Sequence, residues 1–109
     1  MSAPANPARG ESALLVGGEA LTLRPSFAAL VAAEEELGPL FALVERAAAG
    51  GLRLSEIAAL FWHCAEGRPE GLTRERIGEA VAERGLAGVT PVLKGLLGQI
   101  LQGASTGSG

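Results

Sequence analysis

The side chains able to do chemistry are few. His63 and Cys64 stand side by side among twelve glutamates and nine cations in 109 residues, and the chain has no aspartate and no tyrosine. A His next to a Cys could form a nucleophile with its base, or supply two metal ligands. Neighbouring helical positions point about 100° apart, so the imidazole and the thiol diverge. No second His or Cys exists to complete a tetrahedral site, and a nucleophile pair also needs an orienting third group. The expectation is a buried thiol at Cys64 beside a solvated imidazole at His63. Paired carboxylates could do acid–base work, but Glu34-Glu35-Glu36 is a run and not a facing pair. Glu75, Glu79 and Glu83 form an i, i+4 column that reads as solvated surface. Gly17-Gly18 and Gly50-Gly51 lack the strand, spacing and downstream acid of a dinucleotide site, and Lys94 follows no glycine-rich loop. The sequence therefore points to a non-enzyme that needs no cofactor and no metal.

Binding is the remaining possibility. The net charge of −3 and the scatter of cations from Arg9 to Lys94 supply no basic stripe, so no direct nucleic-acid contact is expected. The apolar runs are interrupted well before the roughly 18 residues that span a bilayer, and MSAPANPARGE has no apolar leader core, so no membrane role is expected. The lone Cys64 fits a reducing cytosol.

The elements that must position these residues begin with ALLVGGEALTLRPSF, residues 13–27. Gly17-Gly18 suits a two-residue type I′ turn. That turn pairs Val16 with Glu19, Leu14 with Leu21 and Ser12 with Leu23, putting Leu14, Val16, Leu21 and Leu23 on one oily face. An isolated hairpin is marginal, so helices must cover this face, and its outer edges can template another strand. Ser26 caps a helix over about 27–37, closed by Gly38. Pro39 opens the next, about 39–49, with Leu40, Leu43, Val44 and Ala47 as its stripe. Ser55 caps a third, about 56–66, whose Ile57, Leu60, Phe61 and Cys64 follow core-facing spacing. Thr73 caps a fourth, about 74–84, and Thr90-Pro91 opens a fifth, about 91–102. The fold class is α+β, mostly α: a hairpin over 12–24 and about five short helices in one small domain, 11–103. A flexible arm at 1–10 and a flexible tail at 104–109 flank it.

Several stretches in this order resemble the small gene transfer agent tail family of alphaproteobacteria. They are Asn6-Pro7-Ala8-Arg9-Gly10-Glu11 before a hairpin, then Ala29-Leu30 through Glu34 to Leu37-Gly38, then Leu54-Ser55 with Ile57. The later half agrees in its helical Ala/Leu/Gly character, and Phe61-Trp62-His63-Cys64 departs from the small residues that the resemblance leads one to expect. The resemblance implies phage-tail morphogenesis in phage-derived particles that package host DNA. Its gene placement, between the tube and tape-measure genes, implies an assembly chaperone for the tail tube subunit or the tape measure. A structural tail protein, at the tube or its terminus, is the alternative, and a small helical regulator is a third. The implied location is the bacterial cytoplasm or the assembled tail particle.

Six residues are candidates for the partner interface. Leu15 is the one large apolar residue on the polar face of the hairpin. Glu34 lies at core spacing among Phe27, Leu30, Val31 and Leu37, and is expected to pair with Arg24 or Arg46 or to meet a partner. Trp62 falls about 140° from Ile57 on the helical wheel and should be only partly buried. Leu93, Leu97 and Leu101 belong to an apolar arc on the fifth helix wider than the usual stripe of about 100°. An apolar flank left bare there would also promote self-association.

Overall fold

The computed structural model describes residues 12–102. The arm at 1–10, the resemblance-bearing stretch at 6–11 and the tail at 104–109 lie outside the described residues. The chain forms two strands and five helices: β1 (Ser12–Val16), β2 (Glu19–Leu23), α1 (Phe27–Leu37), α2 (Leu40–Ala48), α3 (Leu54–Cys64), α4 (Arg74–Arg84) and α5 (Leu86–Gln102). This is the expected α+β, mostly α architecture.

The hairpin has the register its turn requires. Gly17 and Gly18 both take positive φ, 59° and 86°, the conformation that a type I′ loop imposes and that glycine adopts without a Cβ penalty. The strands pair antiparallel from Ser12↔Leu23 to Val16↔Glu19. Leu14, Leu21 and Leu23 are buried, Val16 is half-buried, and Ala13, Leu15 and Ala20 face outward. Beyond β2 the chain leaving α3 runs briefly alongside. Leu23 and Ala65 form an antiparallel bridge, Arg24 N–H donates to the Cys64 carbonyl at 2.7 Å, and Glu66 N–H donates to the Thr22 carbonyl at 2.8 Å. The core packs against the inner face of the hairpin. Its largest fully buried side chains include Phe61, Leu60, Leu43, Ile77, Val81, Val89 and Leu96. Phe61 and Cys64, two of the four residues at 61–64 that depart from the resemblance, are thus part of the core.

Helix ends follow local chemistry with three exceptions. Ser26 Oγ accepts from Ala29 N–H, and Thr73 Oγ1 accepts from Arg76 N–H. Pro39 precedes α2 as its N-cap instead of standing in its first turn. Arg53, not Ser55, is the residue before α3; the Glu56 carboxylate reaches back to accept from Arg53 N–H at 2.9 Å, the glutamate half of a capping box. That arrangement starts α3 two residues earlier than expected, and the pull of β2 on residues 64–66 ends it at Cys64. The largest departure is α5, which starts at Leu86 and not at 91. Gly85, at φ 81°, ends α4, and its carbonyl accepts from Gly88 N–H at 3.0 Å and Val89 N–H at 3.2 Å, so the next helix begins at once. Pro91 consequently lies inside α5, where it supplies no N–H to the preceding turn.

Candidate functional site

The most developed polar cluster joins three helices. Glu36 lies on the flank of α1 next to the buried Ala33, His63 near the end of α3, and Arg74 at the start of α4. Arg74 donates both Nη groups to Glu36, each at 2.6 Å, a bidentate geometry that a planar guanidinium favours. His63 Nε2 stands 2.8 Å from Glu36 Oε1 and 3.3 Å from Arg74 Nη2. An ionised carboxylate only accepts, so the 2.8 Å contact is a hydrogen bond in the tautomer that carries its proton on Nε2, which donates to Glu36. The Arg74 bonds first, and His63 second, hold the Glu36 carboxyl down at about 2. Glu36 in turn raises Arg74. The His63 side chain is 12 % exposed, so it is not the solvated imidazole expected; the acidic run captures it. Cys64, next in sequence, faces the core, and burial pushes its thiol up to about 12, far from a reactive thiolate. The cluster ties α1, α3 and α4 together through the Glu36 carboxylate.

A second tie joins α2 to α3. Arg46 Nη1 meets Glu56 Oε2 at 2.7 Å, and the Glu56 carboxyl is held low by the Arg53 N–H and then by Arg46. Arg24 meets Glu66 at 3.4 Å. Both arginines expected as partners of Glu34 are therefore engaged elsewhere. Glu34 is exposed and accepts from Leu40 N–H at 3.1 Å, satisfying an otherwise unpaired donor in the first turn of α2.

The other candidates are dispersed. Leu15 and Leu101 are exposed, Leu93 is half-buried, and Leu97 is buried in the core. Trp62 is half-buried, but Arg68 lies 4.2 Å from the ring centroid and donates Nε–H to the Trp62 carbonyl at 3.2 Å. One face of the indole is therefore covered by a cation–π contact.

The two most exposed large apolar side chains among the described residues, Phe27 and Phe41, are ones that periodicity misplaced or passed over; Leu86, Leu15 and Leu101 follow, and Val31 is the least exposed of the set. Phe27 is 85 % exposed, Phe41 72 % and Val31 38 %. The expected stripe of α1 ran through Phe27, Leu30, Val31 and Leu37. The helix instead turns Ala29 and Ala33 inward, where small side chains let it approach α3 closely. That places Phe27 and Val31, one turn apart, on the outer face. Phe41 is adjacent to Leu40 but off the Leu43/Ala47 stripe of α2, a signal the sequence carried.

Two shallow clefts border these elements. One, of about 520 Å³, is lined by Glu36, Leu37, Ser55, Glu56, Ala58, Arg74 and Glu75, so the polar ties form its walls. The other, of about 500 Å³, lies between β2 and the loop after α3. Among the described residues no three potential metal ligands come together, and no helix is long and apolar enough to cross a membrane.

In comparison with known proteins, residues 9–103 match the family described as "Phage tail tube protein, GTA-gp10". No curated protein and no solved structure matches the chain.

Proposed function

The chain belongs to this phage tail family of gene transfer agents, and from that premise we propose that it acts in tail morphogenesis as an assembly chaperone, binding tail tube or tape-measure chains before they polymerise. The observation that carries this reading is the outward Phe27 and Phe41 on two neighbouring short helices. Large aromatics are enriched at protein interfaces, and each of these two stands almost wholly outside the core. A tail tube family is structural and not enzymatic, and the tightly tied Glu36–His63–Arg74 cluster is assigned a stabilising role. In this reading the chain works in the cytoplasm of the producing cell.

The family description itself favours a second reading, in which the chain is incorporated as a component of the tail. Quantitative protein composition of purified particles separates the two. An assembly chaperone is expected to copurify with tube or tape-measure chains from lysates and to be missing from finished particles. Stoichiometric copies in those particles would overturn the chaperone reading in favour of the structural one.

A further inference from the structure

The outer edge of β2 is only partly used. In an antiparallel strand the N–H and C=O of a given residue point to the same side, and alternate residues point to opposite sides. The Thr22 carbonyl is taken by Glu66 N–H, on the side away from β1. Thr22 and Ala20 therefore both direct their backbone groups outward. Arg24 N–H and the Thr22 carbonyl are satisfied by residues 64–66. Among the described residues, Thr22 N–H and both backbone groups of Ala20 have no partner. The third-strand position stops at Glu66 because Gly67 turns the chain at φ 57° and Pro69, with no N–H, cannot continue a ladder. The diverging loop leaves the cleft of about 500 Å³ beside this edge.

We infer that the edge at Ala20–Thr22 is a strand-addition site for an extended, basic, alternating peptide segment of a protein partner. The backbone supplies the hydrogen bonds of β-augmentation, and pockets read alternate side chains. Leu21, largely buried, and Leu72, half-buried, contribute to the apolar part of the cleft's lining, which suits an apolar side chain. Glu19, Glu66 and Glu70 also line it, against the single cation Arg76, and Glu66 is shared with Arg24. The net negative rim selects lysine or arginine at the intervening positions. The inference holds whether or not the chain stays in the particle, since it concerns the edge and not the Phe27–Phe41 face.

The test is amide hydrogen exchange of the full chain with a synthetic Lys-Val-Lys-Val-Lys peptide at millimolar concentration, and with its glutamate counterpart. The lysine peptide should slow the Ala20 and Thr22 amides about tenfold, and the glutamate peptide should not. Ala20→Pro removes an outward N–H that the internal ladder does not use, a substitution edge strands tolerate, and it should abolish the effect. Paired Glu19→Lys and Glu70→Lys changes, both at exposed positions, should invert the preference. The inference fails if the lysine peptide leaves both amides unchanged. It also fails if Ala20→Pro, still folded, responds as the parent does. It is overturned too if both amides are already slow in the isolated dilute chain, meaning the chain covers its own edge. Slowing with chain concentration and no peptide would make the occupant a second copy and equally overturn it.

Discussion

Glu36 does its work through three bonds made to residues 27 and 38 positions away, in α3 and α4. Its carboxyl sits at about 2 in the folded chain against an ordinary 4.5. A depressed folded value means that the tie stabilises fully above 4.5 and is lost as the pH falls toward 2. Its side chain is 38 % exposed, so solvent screening keeps the contribution to about 1 kcal/mol, well below what the shift alone implies. Glu36→Gln should therefore lower stability at pH 7 by about 0.5–1 kcal/mol, and the gap to the parent should narrow toward pH 2. Urea unfolding followed at both pH values measures this; an equal gap at both would mean the carboxylate charge is not what matters. None of this partnership was legible beforehand. Helical periodicity assigns a residue to a face of its own helix, but a partner many residues away depends on how the helices cross. Glu34 shows the same limit: its partner is a backbone N–H in the next helix, not either arginine that charge alone suggested.

At the scale of elements, local chemistry read well at the hairpin turn and at two helix caps, and failed at Ser55, which stands inside α3. Gly17-Gly18 set the hairpin and its register, Ser26 and Thr73 capped their helices, and Gly38 closed α1. It misread the start of α5 because Thr90-Pro91 is itself a good opening signal, whereas the true start uses a glycine carbonyl and no capping side chain. It misread the face of α1 because a small-residue seam of Ala29 and Ala33 outcompeted larger apolar residues for the close approach to α3. The glycines of α5 yield a test of packing against propensity. A Cβ added at Gly98 meets nothing within 4 Å, while one at Gly95 comes to 3.2 Å from Ser12 Oγ, where α5 crosses β1. An interior helical Gly costs about 1 kcal/mol relative to Ala. Gly98→Ala should gain most of that. Gly95→Ala should gain less, since Ser12 must shift to admit the methyl. Thermal or urea unfolding of the two variants checks the order; a larger gain at Gly95 would mean that α5 does not press on β1 as described.

The whole molecule divides its apolar residues between two jobs. One cluster, from Leu14 and Leu23 through Phe61 to Leu96, holds the domain together. Phe27 and Phe41 stand apart from it and are mostly in water. A domain of this size is stable by only about 5–10 kcal/mol, so residues that bury little contribute little to that margin, and their presence outside calls for another cause. A joint Phe27→Ser and Phe41→Ser variant separates folding from binding. If both rings serve only contact with a tail partner, the unfolding free energy should change by no more than about 0.5 kcal/mol per substitution, as for surface changes generally. Solubility should rise as exposed apolar area falls. Copurification with tail tube or tape-measure chains should be lost, and tail assembly should fail with it. A Phe61→Ala variant is the contrasting control: its fully buried ring should cost about 3–5 kcal/mol, a large part of the margin, and weaken binding only in proportion to the fraction of chain unfolded. Should the double serine variant retain its partners while remaining folded, the outward face of α1 and α2 is not the docking surface, and the edge of β2 is the contact that remains.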